Sequence, residues 1–368
     1  MVKKNIFAWV VILLFSIGFA SAFPNSSTGK QESNKSKKIS SSNPISDLVL
    51  IYHGGAQRLP WSANQLRPYV YQDNSTKFNW LFDGFLFLEI FDSVNKYNYD
   101  PGFQYRTAGK EQWEWLLNRY FGKQKGPDAL ESILDSLAKV GKKPVRKRMV
   151  VISIPCPVPG YKDWGELDGK KLDFTNSEDR ELASKWFIDK ALKMWNERGY
   201  KHIKLAGFYW VHEAAEKSDK AISGVKDYLK SQNMKLFWIP YWGAKGKDSW
   251  AQLGFDYAYQ QPNYFFSTKI PESRLNDACA FSRKYGLGLE MEFDERVAQP
   301  DFRTRFYDYL NAFEKNRVWE DLPVAYYEGG GAWLQMANSK DQEMQKMYNT
   351  LSNIIVKRQV KTDKALKK

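Results

Sequence analysis

The stretch Leu287-Gly288-Leu289-Glu290-Met291-Glu292-Phe293-Asp294 alternates apolar and polar residues without a break. Successive side chains of a β-strand point to opposite faces, so the apolar residues share one face and the polar residues share the other. Helical patterns precede and follow this stretch, which predicts a sheet whose apolar face is covered by helices. The acidic face then lines a protected space, where clustered carboxylates are costly unless they serve chemistry. We therefore predict that this strand forms one wall of an active site.

The same alternation of strands and helices extends along most of the chain. The predicted strands are residues 48–52, 84–89, 149–154, 205–211, 235–240, 256–260, 287–293 and 324–328. The predicted helices are residues 110–121, 128–140, 178–198, 217–232, 271–285, 301–316 and 340–357, with no clear pattern over 62–72 and 247–253. Eight strands are the number in a closed β/α barrel, and no Gly-rich phosphate loop after the first strand favours the rival doubly wound sheet. The predicted fold class is α/β, a single (β/α)8 TIM barrel.

The two ends of the chain differ in composition from the predicted barrel over residues 47–356. Residues 1–22 have a basic start, an apolar run and a small-residue end, which predicts a signal peptide. Residues 23–46 are rich in Ser, Asn and Lys and predict a disordered tether, and residues 357–368 form a basic C-terminal tail. The apolar run is short for a membrane span. We expect an exported protein, periplasmic or extracellular, without stable membrane insertion.

The net charge of +13 lies mostly at the ends of the chain. Residues 1–46 hold six Lys and one Glu, and residues 357–368 hold six Lys or Arg and one Asp, so residues 47–356 carry only +3. Basic faces rather than basic ends mark nucleic-acid binding, so we expect no nucleic-acid partner. The sequence indicates no oligomeric state.

The cysteine, histidine and aromatic residues indicate which kinds of binding site the protein can form. Cys156 and Cys279 either form a disulfide or are two buried free thiols. The three histidines, His53, His202 and His212, show no metal-ligand spacing, so we predict neither a metal nor another cofactor. Aromatic residues make up 16% of the chain, including 14 Trp, and sugar-binding clefts use aromatic faces as stacking platforms. The expected partner is a carbohydrate.

Acidic and aromatic residues recur at the predicted C-terminal ends of the strands, where β/α barrels place their working residues. Glycoside hydrolysis needs this combination: one carboxyl group protonates the leaving oxygen, another attacks or activates water, and rings hold the sugar. The residues that we predict to bind substrate are His53, Glu89, Asp92, Trp210, His212, Trp238, Tyr241, Trp242, Gln260, Asp294, Tyr327 and Glu328.

Three glutamates are the predicted catalytic residues. Strands four and seven lie nearly opposite in an eight-stranded barrel, so Glu213 can face an acid of strand seven across the mouth. We predict Glu213 as general acid/base, because partial burial beside Trp210 and His212 would raise its pKa. Glu292 lies nearer the strand end than Glu290 and is the predicted nucleophile or base. Glu290 would then orient Glu292 or a substrate hydroxyl.

Structural roles are the alternatives for several of these residues. Glu213 could instead cap a helix beginning at Ala214, and Glu290 and Glu292 could be structural, Glu290 through a salt bridge inside the barrel. His53 could be a hydrogen-bonded scaffold residue. Trp238, Tyr241 and Trp242 could belong to ordinary core and loop packing.

Four segments together resemble a known family: Tyr52-His53-Gly54-Gly55, Phe85-Leu86-Phe87-Leu88-Glu89, Trp210-Val211-His212-Glu213 and Glu290-Met291-Glu292-Phe293-Asp294. The pattern resembles an exported bacterial family catalogued as domain of unknown function 4855, which is similar to the glycoside-hydrolase barrels. The resemblance covers about residues 47–356.

The resemblance also implies roles for two acids. In the large clan of retaining glycosidase barrels, the acid/base glutamate ends strand four and the nucleophile ends strand seven, which are the places of Glu213 and Glu292. That clan usually has Asn before the first glutamate, whereas this chain has His212.

An exported glycoside hydrolase that cleaves a polysaccharide or oligosaccharide is therefore the predicted function. A non-catalytic carbohydrate-binding barrel for glycan capture is the alternative, because it needs the aromatic residues but not the acids. A transglycosidase or lyase is a third hypothesis. The separation of the two carboxyl groups would distinguish retaining from inverting chemistry.

Overall fold

Eight parallel strands close into a barrel in the computed structural model, which describes residues 43–74 and 77–367. Each strand is hydrogen-bonded to its neighbours in chain order, and the last closes on the first. The strands are β1 (Asp47–Tyr52), β2 (Gly84–Leu88), β3 (Arg148–Ile154), β4 (Ile203–Trp210), β5 (Lys235–Trp238), β6 (Tyr257–Gln260), β7 (Gly288–Glu292) and β8 (Val324–Tyr327). The structure confirms the predicted TIM barrel.

Helices surround the barrel and connect most of the strands. They are α1 (Ala63–Val70), α2 (Lys110–Tyr120), α3 (Gly126–Lys139), α4 (Ser177–Arg198), α5 (Lys220–Ser231), α6 (Trp250–Leu253), α7 (Ser273–Tyr285), α8 (Pro300–Lys315), α9 (Val318–Asp321), α10 (Ala332–Asn338) and α11 (Gln342–Leu366). A 3-10 helix spans Glu295–Ala298, and short hairpins pair Tyr71–Asn74 with Lys77–Trp80 and Glu166–Leu167 with Lys170–Lys171. A three-stranded excursion after β2 uses Phe91–Asp92, Tyr97–Asn98 and Arg106–Thr107.

The barrel strands are buried on both faces, and the side chains of each face belong to a different apolar cluster. On β1, Val49 and Ile51 pack outward against the helices, whereas Leu48, Leu50 and Tyr52 pack inside the barrel. Burial on both faces is typical of parallel strands covered by helices and explains their nearly continuous apolar sequences.

A β-bulge in β4 reverses which side chains point into the barrel. Leu205 pairs with Val150 of β3, but Gly207 pairs with the next residue, Val151, so one residue of β4 is extra. A one-residue shift moves every later side chain to the opposite face. Beyond the bulge, Tyr209 faces the interior and Trp210 packs outward against the helices.

The predicted C-terminal tail is part of the last helix, which corrects the predicted boundary at residue 357. The helix continues to Leu366 because its penultimate turns bind the base of the barrel. Arg358 Nε donates to Asp47 Oδ1 at 2.6 Å, and Gln359 Nε2 donates to Asp47 Oδ2 at 2.7 Å.

The end of the predicted tether also packs against the barrel. Ile45 is buried, and Asn43 donates to the Tyr259 hydroxyl at 2.8 Å, so residues 43–46 belong to the folded unit. The predicted signal peptide and the rest of the tether lie outside the described residues. Within the described residues, no helix combines the length and apolar character that a membrane span requires.

Candidate active site at the barrel mouth

Glu213 and Glu290 lie close to the same tyrosine at the C-terminal mouth of the barrel. Glu213 follows β4 and is partly exposed, and Glu290 lies on β7 and is buried. Burial raises the pKa of the Tyr209 hydroxyl well above its ordinary value, and the charges of Glu213 and Glu290 raise it further. The acids of strands four and seven therefore come together as the strand positions predict.

The environment of Glu213 suits proton transfer near neutral pH. Burial raises its pKa to about 7, and the charge of Asp100 adds to this shift, whereas a hydrogen bond with Gln261 and the charge of His212 oppose it. The helix that follows begins only at Lys220. The alternative role of Glu213 as a helix cap therefore does not apply.

Glu290 has an unsatisfied carboxylate oxygen. Its Oε1 is buried without a hydrogen-bond partner, and no described Lys or Arg forms a salt bridge with this residue. Burial raises its pKa well above the ordinary value, and the charges of Glu292 and Glu213 add to the shift. The alternative of a structural salt bridge is therefore wrong, and one oxygen of Glu290 remains available to a ligand.

Glu292 is instead hydrogen-bonded through both oxygens. Its Oε1 accepts from the backbone N–H and the side-chain Nδ2 of Asn263 at 3.0 and 3.2 Å. Its Oε2 accepts from the backbone N–H of Tyr264 at 3.1 Å and from the hydroxyl of Tyr309 on α8. Burial raises the pKa of Glu292 to about 8 although these hydrogen bonds lower it. The contacts fix the loop after β6 against α8.

An imidazole–carboxylate pair lies beside Glu213. His212 Nδ1 is 3.0 Å from Asp100 Oδ1, and Asp100 comes from the excursion after β2. Burial lowers the pKa of His212, but the hydrogen bond and charge of Asp100 outweigh it and leave the pKa raised. Trp238 Nε1 donates to the His212 carbonyl oxygen at 2.9 Å and so fixes the backbone before Glu213.

Aromatic rings and one arginine form the opposite side of the mouth. The rings of Tyr52 and Tyr327 meet edge to face with centroids 5.9 Å apart, and Phe266 contacts Tyr327 at 5.4 Å. The Arg58 guanidinium lies over the Tyr52 ring at 4.7 Å. Tyr327 therefore occupies the mouth, as its predicted substrate-binding role requires.

Two of the predicted substrate-binding acids organise loops near the mouth. Arg58 binds both oxygens of Glu89, whose Oε2 also accepts from the backbone N–H of Gly55. Asp92 accepts from the backbone N–H groups of Ala56, Val94 and Asn95. Their oxygens already have partners within the protein.

The two predicted acids at the ends of β7 and β8 differ in how their oxygens are bound. Asp294 forms a bidentate ion pair with Arg296 and caps the 3-10 helix that starts at Glu295. Glu328 is fully buried outside the barrel interior; its Oε2 accepts from the backbone N–H of Trp333 at the start of α10, whereas its Oε1 has no hydrogen-bond partner among the described residues.

The tryptophans predicted to bind sugar do not present free rings in the mouth. Trp210 and Trp238 pack between the strands and the helices, and Trp238 stacks on Phe255 with centroids 4.6 Å apart. Trp242 is partly buried beneath two cations, with Lys247 Nζ at 4.1 Å and the Arg274 guanidinium at 4.8 Å from its ring centre. These positions match the packing alternative.

The remaining predicted contacts are divided between the core and the surface. His53 is fully buried beside Phe87 and Tyr120, where burial lowers its pKa to about 3. Gln260 is buried and donates to backbone carbonyl oxygens. Tyr241 is partly exposed after β5.

Several residues of the mouth were absent from the predicted set: Tyr52, Asp100, Cys156, Tyr209 and Gln261. Gln261 follows Gln260 by one residue, and the alternation of Tyr257 and Tyr259 toward the interior is the signal that could have identified it. Asp100 lies in the excursion, well beyond the end of the barrel strand β2 (Gly84–Leu88) in sequence. The two cysteines are free buried thiols, which settles the disulfide alternative.

Comparisons with known proteins match the chain to one family and give no activity. A family model described as Domain of unknown function (DUF4855) matches residues 47–353. No curated protein has a significantly similar sequence. Among solved structures, a mutant tryptophan synthase alpha-subunit from a hyperthermophile, Pyrococcus furiosus, is 8% identical, with 84% of this chain and 97% of that chain covered and a TM-score of 0.38.

Two further solved structures are similar at the same low level. CbXyn10B in native form is 12% identical, with 58% of this chain and 73% of that chain covered and a TM-score of 0.31. A tamarind chitinase like lectin is 9% identical, with 81% of this chain and 98% of that chain covered and a TM-score of 0.35. These likenesses are too weak to carry an argument about activity.

Proposed function

The chain belongs to the DUF4855 family, and since that description names no activity, we propose from the geometry of the mouth that the protein is a glycoside hydrolase. The observation that carries the proposal is the convergence of Glu213 and Glu290 on Tyr209. Most glycoside hydrolases cleave the glycosidic bond with two carboxyl groups that lie on either side of it.

Glu213 acts as general acid/base in this proposal. Its partly exposed side chain can reach both a glycosidic oxygen and the water that follows it.

Glu290 supplies the second carboxyl group, and Glu292 takes the positioning role. Glu292 already has hydrogen-bond donors on both oxygens, whereas Oε1 of Glu290 has none. Burial favours neutral Glu290 in the free protein, so Glu290 must release its proton to solvent before it acts. A sugar ring that develops positive charge above it would favour the resulting carboxylate. This exchanges the roles that strand position alone assigns to the two residues.

Glycan capture without catalysis is less well supported. Such a barrel depends on open aromatic platforms, and the rings of Trp238 and Trp242 are covered by the protein itself. Tyr327 is partly exposed and suits contact with a single sugar ring at the reacting position.

The experiment is a product analysis over a panel of polysaccharides and oligosaccharides, with Glu213→Gln, Glu290→Gln and the exposed Glu216→Gln as control. General acid–base catalysis contributes about 10²–10⁴-fold, so we expect losses of that order in the first two variants and none in the control. A 2-fluoro sugar that traps an ester on Glu290, located by peptide mass, would assign a retaining mechanism. Sugar binding with no turnover by the wild type would instead support glycan capture.

Export to the periplasm or the extracellular space is part of the proposal. It rests on the composition of residues 1–22. N-terminal sequencing of the protein recovered from its native compartment should find a start near Phe23, and recovery of uncut protein from the cytoplasm would contradict export.

A further inference from the structure

Three successive βα loops bring different metal-binding atoms together beside Glu213. Asp100 lies in the excursion after β2, Cys156 follows β3 and His212 follows β4. One carboxylate oxygen, the thiol sulfur and one ring nitrogen of these residues all lie within 4.8 Å of one another. We propose that Asp100, Cys156 and His212 form a binding site for one divalent cation of the zinc class.

The separations suit a single ion. Ligand atoms at about 2.0–2.3 Å from a tetrahedral zinc ion lie roughly 3.3–3.7 Å apart. His212 Nδ1 and Asp100 Oδ1 are already 3.0 Å apart, and the thiol sulfur lies within 4.8 Å of both ligand groups. Small side-chain rotations are therefore enough to bring all three atoms to bonding distance.

The donor set selects the class of ion. Thiolate and imidazole ligands suit zinc, cobalt and copper, whereas magnesium and calcium require oxygen ligands. Cys156 loses its Sγ–H proton to solvent as the sulfur–metal bond forms. The proton that His212 Nδ1 shares with Asp100 is displaced to solvent or to Nε2, so that the neutral imidazole binds the ion through the Nδ1 lone pair. No oxidation or reduction takes place. The thiolate and the Asp100 carboxylate balance the two charges of the ion.

The surrounding structure supports the ligands and leaves one side open. The backbone N–H of Cys156 donates to the Tyr99 carbonyl oxygen at 2.8 Å, and Trp238 holds the His212 carbonyl oxygen. The His212 side chain is 38% exposed and that of Asp100 is 13% exposed, so an ion can enter from the mouth. Three protein ligands with a fourth position open to water or substrate is the arrangement of catalytic rather than structural zinc sites.

The site goes beyond the proposed glycosidase chemistry, and its test does not depend on that activity. Untagged protein would be stripped with chelator, dialysed and titrated with Co²⁺ while thiolate-to-cobalt charge transfer is followed in the near ultraviolet. Zn²⁺ content after equilibration would be measured by mass spectrometry. The variants are Cys156→Ser, His212→Gln and Asp100→Asn. Cys279→Ser is the matched control, because Cys279 is a second buried free thiol, on α7.

We expect one metal per chain and a charge-transfer band in the wild type and in Cys279→Ser. Cys156→Ser should lose the band, and the dissociation constant of Zn²⁺ should rise more than about 100-fold in each ligand variant, since loss of an outer-shell partner alone costs 10–100-fold. A wild-type protein without stoichiometric metal, or a band that survives Cys156→Ser, would overturn the proposal. Circular dichroism of each variant shows that lost binding is not lost folding.

Discussion

Glu290 and Glu292 lie on the same strand and two residues apart, yet only Glu292 has hydrogen-bond donors on both carboxylate oxygens. Asn263 and Tyr264, in the loop after β6, bind Glu292, so the second acid of the strand anchors its neighbour loop. Glu290 keeps a buried oxygen without a partner. Such a group is costly unless a ligand completes it, and because the charge of Glu213 acts on Glu290, we place the chemistry at this residue.

Glu292→Gln should destabilise the protein, whereas Glu290→Gln should not. Glutamine keeps one oxygen, so its NH2 group would face the backbone N–H of either Asn263 or Tyr264, and we expect a loss of about 1–3 kcal/mol in the free energy of unfolding. Glu290→Gln removes no hydrogen bond to Oε1 and should leave the unfolding midpoint in urea within error of the wild type. Equal stabilities for the two variants would contradict the anchoring role of Glu292.

The barrel was predictable from sequence because its signals are local. Each strand is a short apolar run between helical patterns, and every observed strand end lies within two residues of its predicted position. The position of Glu213 followed from the strand count alone. The last helix extends past residue 357 because Arg358 and Gln359 bind Asp47, a contact more than 300 residues away in sequence.

Orientation at the strand ends was less predictable. Because of the β-bulge before Gly207, the Trp210 side chain points outward to the helices, and no local sequence pattern indicates the extra residue. Asp100 reaches His212 through an irregular excursion of the chain, so only tertiary structure brings the two together. The choice between Glu290 and Glu292 depended on donors from a neighbouring loop and from α8.

Arg58→Met should cost about 3–5 kcal/mol, because it leaves the carboxylate of Glu89 buried without its cation. The Glu89 side chain is fully buried, and Arg58 Nη2 lies 2.8 Å from its Oε1. Lys171→Met is the control and breaks an exposed ion pair with Asp163. Because exposed ion pairs contribute little, its free energy of unfolding should change by less than about 1 kcal/mol. Urea denaturation measures both. A loss for Arg58→Met no larger than that of the control would show that the pair contributes little.

Gly207→Ala should destabilise the barrel and disturb the site together. A Cβ atom at position 207 would lie 2.0 Å from the Lys235 carbonyl oxygen on β5, so the strands must separate. We expect a loss of at least about 1–3 kcal/mol and lower activity, since Tyr209 and Glu213 follow the bulge. Gly122→Ala, whose nearest contact would be at 3.4 Å, is the control and should be close to the wild type. A stable Gly207→Ala variant would mean that the bulge relaxes without cost.

The free energy of unfolding should decrease as the pH falls from 6.5 toward 3, because the buried imidazole of His53 resists protonation in the folded protein. Burial, together with the charge of Arg119, lowers the folded-state pKa of His53 from 6.5 to about 3, so between these values the unfolded chain binds a proton that the folded chain does not. The stabilisation is therefore complete above the unfolded pKa and is lost on acidification, by on the order of 4 kcal/mol over the whole range. His53→Gln has no titrating group, so its free energy of unfolding, measured in urea at half-unit intervals of pH, should fall less steeply than that of the wild type even if the substitution costs stability at pH 7.5. Parallel slopes for the two proteins would show that the imidazole is protonated in the folded state or that acid lability comes from other groups.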